Sequence, residues 1–370
     1  MDGIDLALVR SDGSNFVERG PDGFVAYKDE TRQRIEEGLS VAKSIANRRM
    51  RPGALALLER ELTELHHLAI REFLSANDLS MSEIDLIGFH GHTVLHKPDD
   101  ALTVQLGDGQ YLAAQTGIEV MYDFRANDME YGGQGAPLVP VYHSALHHNI
   151  SSQYSRKNPI VFANIGGISN ITYIGTEGQL IAFDSGPGNC LIDQWVKEKA
   201  GLDFDENGAI AQEGRVIEEI CTRYLAHPYF QRSLPKSLDR KDFSPLLDTN
   251  VTTADGARSL TRLTALALMF SIDQLPDKPA LIIVCGGGAL NPVIMQDLRA
   301  LAQQDNIQVI TADEASFSSA AMEAEAFAYL AIRSKTGEPL TYPMTTNCRL
   351  PVTGGVSALP TIARENLKSA

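Results

Sequence analysis

The apolar positions of this chain fall into two rhythms. In IDLALVR (residues 4–10) they alternate, which predicts a strand. Residues 29–48 and 53–78 instead place them three and four apart and predict amphipathic helices. IDLIGFHGHTVLHKP (84–98) reads as a short strand entering a loop rich in His and Gly, and ALTVQLGDGQYLAAQTG (101–117) as a hairpin around Gly-Asp-Gly. After the glycine-rich DFRANDMEYGGQGAPLVP (123–140), PLVPVYHSALHH (137–148) predicts a helix. Residues 158–195 predict three strands punctuated by glycine turns and then a helix, and 203–245 is charged and loop-like. Residues 257–275 predict a helix, 279–304 a strand, glycine loop and helix, 306–311 a strand and 321–334 a last helix. Strands alternating with helices in two halves, without an internal repeat, predict an α/β protein with mixed sheets.

A length of 370 residues allows two domains, and 44% hydrophobic with 21% charged residues is the balance of a globular protein. No apolar run approaches the roughly 18–20 residues of a membrane span. Asp2 and Asp5 precede any basic residue, which is unlike a secretory signal, so a cytoplasmic location is expected and a membrane partner is not. A formal charge of −15 argues against a nucleic-acid partner. It also means that a polyanionic ligand needs a local device to bind. Cys190, Cys221, Cys285 and Cys348 lack metal-ligand spacing and read as buried thiols.

Two glycine loops offer such a device. Gly166 and Gly167 follow an apolar strand, where a tip without side chains lets backbone N–H groups approach an anion. Gly286, Gly287 and Gly288 lie between a buried strand and a helix that begins at Asn291-Pro292, a position where helix N-termini hold phosphates. Neither loop matches a dinucleotide or Walker fingerprint. Asp128 stands just before Gly132-Gly133 and just after Arg125, and reads either as a general base in a desolvated loop or as a turn cap. His90, His92 and His96 lack an acidic partner nearby, so hydrogen bonding to a polar substrate suits them better than zinc. Glu323 and Glu325 lie about 200° apart on their helix, so one of the two faces inward.

The stretches FHGHTVLHKP, DFRANDMEYGGQGAPLVP, NIGGISNITYI, FDSGPGNCLIDQW, CGGGALNP and MEAEAFAYLA, in this order, resemble the anhydro-N-acetylmuramic acid kinase family over nearly the whole chain. The resemblance implies the two-domain α/β fold of sugar kinases, Hsp70 and actin, with mixed sheets flanked by helices and an ATP cleft between the domains. Domain I would comprise 1–124 with about 325–370, and domain II 125–324. It also implies an enzyme of cell-wall recycling that uses ATP and Mg²⁺. Water opens the 1,6-anhydro bridge of a small-molecule sugar, and O6 is phosphorylated to give N-acetylmuramic acid 6-phosphate. Asp128 would be the base that activates water. Gly166, Gly167 and Gly286 to Gly288 would lie at the nucleotide, and His92, Thr93, Arg125 and Glu323 at the sugar. Asp184 would hold Mg²⁺ through water, and the assembly would be a homodimer.

This chain departs from the family pattern in two places. His92 stands where the family has Gln, and an imidazole offers one hydrogen bond where an amide offers a pair. At the front, only Asp2, Gly3 and Asp5 match the end of the family's first phosphate loop; the preceding strand and its Gly-Thr-Ser have no counterpart. The expectation is a chain that folds, with Asp2, Gly3 and Asp5 at the ATP site, but phosphorylates weakly. The rival readings are a nucleotide-binding homologue that has lost catalysis, and a hydrolase that opens the anhydro bond without ATP. The latter needs two facing carboxylates.

Overall fold

A computed structural model describes residues 2–150, 153–154, 158–239 and 242–360. The chain divides into two compact units, one made of 1–149 with 321–370 and the other of 150–320. These boundaries fall at 149/150 and 320/321, where the sequence reading puts them at 124/125 and about 324/325. The segment 125–149 belongs with the first unit because its buried polar groups are satisfied there. Asp128 accepts hydrogen bonds from Thr341 and Thr346, and Tyr142 donates to Glu325.

In the first unit, β1 (Gly3–Ser11) pairs antiparallel with β2 (Val17–Ala26). The second of these strands is mostly exposed and contains Pro21, so no apolar alternation announces it. Asp12 makes the turn between them by accepting from the Ser14 N–H at 2.8 Å. Helices Asp29–Ala42 and Leu55–Ala76 match the two amphipathic stretches, and Ile35, Leu55, Leu58 and Leu62 line a core with Ile4, Val94 and Leu106. Strands β3 (Ile87–Phe89), β6 (Val120–Tyr122) and β12 (Val356–Ala358) form a small sheet in the order β12-β6-β3. The helix Met322–Thr336 packs on β1 and β3.

The expected hairpin around Gly-Asp-Gly is not formed. β5 (Leu102–Leu106) pairs backward with β4 (His92–Lys97), and Gly109–Thr116 is a helix. Asp108 decides this by capping that helix, its carboxylate accepting from the Tyr111 N–H at 2.9 Å.

The second unit holds a five-stranded sheet in the order β11-β10-β7-β8-β9, built from β7 (Ile160–Ile165), β8 (Ile168–Ile174), β9 (Leu180–Pro187), β10 (Leu281–Cys285) and β11 (Gln308–Thr311). β7, β10 and β11 run parallel, and β8 alone opposes its neighbours. Every residue of β10 is buried, which explains why LIIVC shows no alternation. Helices Cys190–Ala200 and Pro292–Gln303 pack against the long helix Thr253–Ile272, which also covers β9. The carboxyl ends of β7, β9 and β10 therefore lie at one end of the sheet, and Gly166, Gly188 and Gly286 follow them directly. Ligands of open α/β sheets bind at such an end.

Among the described residues no helix is long and apolar enough to cross a membrane. The four cysteines are free thiols, three buried and Cys190 half-buried.

Candidate active site

In the second unit, the Gly166–Gly167 tip is gripped through its carbonyls. Asn189 N–H donates to the Gly166 carbonyl at 2.8 Å, and the N–H groups of Gly188 and Cys190 donate to the Gly167 carbonyl at 3.0 and 3.1 Å. A Cβ on Gly188 would clash with the Gly166 carbonyl oxygen, so the two turns can touch only while residue 188 is glycine. Its carbonyls are engaged, while the amide N–H groups of Gly166 and Gly167 have no backbone acceptor among the described residues. A Cβ on Gly286 or Gly288 would run into the end of β7, whereas one on Gly287 would meet only Asn189 at 3.7 Å. Of the three, only Gly287 borders open space. The helix N-terminus beyond them already has a partner: Asn291 Oδ1 accepts from Val293 and Ile294 N–H at 3.0 and 3.3 Å.

Asp184 sits near the same end of the sheet, on β9, next to a bulge at Ser185. Bulges re-aim side chains and are common beside active sites. Buried hydroxyls hold this one: Ser185 Oγ bonds Ser169 Oγ at 2.9 Å, Ser271 Oγ donates to the Ser185 carbonyl at 3.0 Å and Thr264 Oγ1 to the Gly188 carbonyl at 2.8 Å. Asp184 Oδ2 accepts from Leu238 N–H at 2.7 Å. Its other oxygen has no partner among the described residues. Burial pushes this carboxyl up to about 6, partly offset by the Leu238 hydrogen bond. A half-buried carboxylate with one free oxygen and a raised pKa is suited to take a proton from water.

In the first unit, Asp128 has a different setting. It is 2% exposed. Its Oδ1 accepts from Thr341 and Thr346 hydroxyls at 2.5 and 2.7 Å, and its Oδ2 from Gly135 N–H at 2.6 Å. Oδ1 thus takes two donors and Oδ2 one. These bonds tie 126–135 to 341–346 at the carboxylate for which the sequence reading expects the role of general base.

Arg125 is drawn into the same cluster. It donates to the Gly135 carbonyl at 2.7 Å and to His90 Nε2 at 3.0 and 3.2 Å. Burial lowers its pKa, while the charges of Glu323 and Asp128 oppose the shift. Burial, and then Arg125, hold His90 well below the ordinary histidine range. His92 and His96 are also lowered by burial. These imidazoles act as neutral hydrogen-bonding groups, and among the described residues no three His, Cys, Asp or Glu side chains are grouped to hold a metal. His92 Nε2 is buried without a partner, and Thr93 Oγ1 accepts from Gln105 Nε2 at 3.2 Å. Of the two late glutamates Glu325 faces inward, bonded by Tyr142 Oη at 2.7 Å, and Glu323 is exposed.

Asp2 is exposed, and its carbonyl accepts from Tyr27 N–H at 2.9 Å. Gly3 needs to be glycine because a Cβ would strike Val25 and Phe24 of β2. Asp5 is raised by burial and then by Asp2, with the N-terminal charge opposing. The side chains of Asp2 and Asp5 bring negative charge and no donor, which leaves only backbone N–H groups here to meet a phosphate. Sequence reasoning missed the hydroxyls of Ser169, Ser185, Thr264 and Ser271, whose only local sign is the glycine pair of FDSGPGN.

The family model for anhydro-N-acetylmuramic acid kinase matches residues 1–359. The chain belongs to that family. An anhydro-N-acetylmuramic acid kinase from Agrobacterium fabrum is 52% identical over 96% of this chain and 95% of its own length. Members of the family from Brucella canis and Rhizobium johnstonii are 51% and 48% identical, each over 97% of this chain and 96% of their own. Among solved structures, a ROK family glucokinase from Streptomyces griseus is 11% identical over 89% of this chain and 96% of its own, at a TM-score of 0.37, too loose a likeness to bear on function.

Proposed function

We propose that this chain is an ATP-dependent anhydro-N-acetylmuramic acid kinase. Water adds to C1 of the anhydro sugar, the C1–O6 bond breaks, and O6 takes the γ-phosphoryl group. The products are N-acetylmuramic acid 6-phosphate and ADP. The observation that carries the reading is 52% identity to a kinase of that name across 96% of this chain.

Asp184 is the base in this reading, accepting the water proton on its free oxygen. The raised pKa keeps it a stronger base than an ordinary carboxylate while leaving it mostly ionised at neutral pH. Backbone N–H groups of the Gly166–Gly167 tip and the loop around Gly287 receive the phosphates. Phosphoryl transfer asks mainly for positioning and charge stabilisation, which such loops supply. His92, Thr93, Arg125 and Glu323 of the first unit are the sugar-facing groups.

Mg²⁺ would neutralise charge on the phosphates. The side chains do not form a cage for it, since no carboxylate pair joins Asp184 among the described residues. An ion carried by ATP itself suits this donor set better.

The test is ADP release by this chain with and without the anhydro sugar, with the product identified by phosphorus NMR. Sugar-dependent ADP and a 6-phosphate are expected. ATP binding without sugar-dependent ADP would favour the impaired homologue, and sugar opening without ATP the hydrolase.

A further inference from the structure

The segment that lines the open edge of β9 is anchored by a buried lysine. Lys236 is 4% exposed. Its ammonium donates to Gln274 Oε1 at 2.9 Å and to the Phe230 carbonyl at 3.4 Å, and Gln274 Nε2 donates to the same carbonyl at 3.0 Å. It also lies over the rings of Tyr229 and Phe183, 4.9 and 5.7 Å from their centroids. Among the described residues the one charge that acts on it is the like charge of Arg232, and burial with Arg232 pushes its pKa down to about 8. A buried ammonium without a counter-ion is costly, and a methionine would fill the space more cheaply.

Round Lys236 gather the described groups that hold Asp184 from outside the sheet. The Lys236 carbonyl accepts from Asp184 N–H at 3.0 Å. Two residues on, Leu238 N–H bonds the carboxylate. Tyr229, under the ammonium, donates its hydroxyl to the Asp184 carbonyl. Among the described residues, the charged and titratable groups facing this clamp are Lys236, Arg232, Tyr229 and Asp242.

We propose that Lys236 is a positioning residue for the base: its ammonium assembles Tyr229, Phe230 and Gln274 into a clamp that fixes the Asp184 backbone and carboxylate. The proposal rests on Asp184 being the base. With the clamp loosened, water reaches the carboxylate, and loss of desolvation, the largest cause of its raised pKa, outweighs loss of the Leu238 hydrogen bond.

The experiment compares the native chain with Lys236→Met and Gln274→Leu by carbon NMR titration of the Asp184 carboxyl, assigned by its absence in Asp184→Asn, and by the pH profile of kcat/KM. Both variants should lower the titration midpoint by about one unit and move the acid limb with it. Turnover should fall about tenfold or more with KM for ATP within about threefold. Melting temperature should hold in Lys236→Met, because removing an unpaired buried charge offsets the lost hydrogen bonds. An unchanged Asp184 titration in the folded variants overturns the clamp, whatever the rates do. Should the native chain fail to phosphorylate the sugar, the proposed function fails, while the NMR titration still decides the clamp.

Discussion

Asp128 accepts three hydrogen bonds from three donors in its unit, and Asp184 accepts one. The difference sets opposite expectations for the same substitution. In Asp184→Asn the amide oxygen still accepts from Leu238, but the proton acceptor is gone, so turnover should fall by about 10²–10⁴. Stability should move the other way. Asp184 has a folded pKa of about 6, above its unfolded value, so its charged form opposes folding at neutral pH. That opposition is full above pH 6 and fades as the pH falls toward the unfolded value. Asp184→Asn should therefore gain up to about 3 kcal/mol at pH 7 and little at pH 4, read by calorimetry. A gain over the native chain no larger at pH 7 than at pH 4 would contradict the desolvated carboxylate. If Asp184 is the base, native kcat/KM should decline as pH drops through about 6, where its carboxylate takes up a proton.

In Asp128→Asn the amide presents its own N–H groups to Thr341, Thr346 or Gly135, leaving buried donors facing donors. The expected loss is about 2–4 kcal/mol in urea unfolding, with activity falling alongside stability. A variant as stable as the native chain yet inactive would return the base role to Asp128. Sequence reading reached Asp128 through its glycine and Arg125 neighbours and through the family resemblance. Thr341 and Thr346 lie 213 and 218 residues further along, and only the fold brings them to the carboxylate.

Elements with a strong period were legible, and those decided by a single polar contact were not. The amphipathic helices, the three strands of 158–187 and the last helix follow from periodicity and glycine punctuation. The helix Gly109–Thr116 turns on one Asp108 cap, and β2 on pairing with β1 despite its polar face. At the carboxyl end of the sheet the glycine loops were legible as loops, but not the grip of 188–190 on 166–167. Gly188→Ala tests that grip. Its Cβ would clash with the Gly166 carbonyl and crowd Ser169 N at 3.2 Å, opposing three backbone hydrogen bonds worth about 1 kcal/mol each. KM for ATP should rise tenfold or more, about 1.4 kcal/mol of that loss. Gly178→Ala is the control: its φ of +80° strains the backbone but its Cβ meets nothing within 4 Å, so ATP affinity should be unchanged. Equal effects of the two substitutions would mean that the tip does not receive the nucleotide.

The molecule as a whole is acidic, at −15, and yet reads as a protein that holds a nucleotide polyanion. Net charge cannot attract such a ligand, so in the proposed reading the attraction comes from an ion carried by ATP and from backbone N–H groups at one end of one sheet. The sugar-facing candidates, by contrast, all belong to the first unit. The two ligands should therefore leave separable footprints in amide hydrogen exchange. ATP alone, at about a hundred times its Kd, adds about 2.7 kcal/mol to whatever opening it blocks. Exchange should slow about a hundredfold at 166–168, 188–190 and 286–288 and change little at 90–93. The anhydro sugar alone should protect 90–93 and the Arg125 segment, whose neutral histidines and buried guanidinium offer it hydrogen bonds. Protection by the sugar confined to 150–320 would remove His92, Thr93, Arg125 and Glu323 from the site, because slowed exchange follows the unit whose local opening the ligand suppresses.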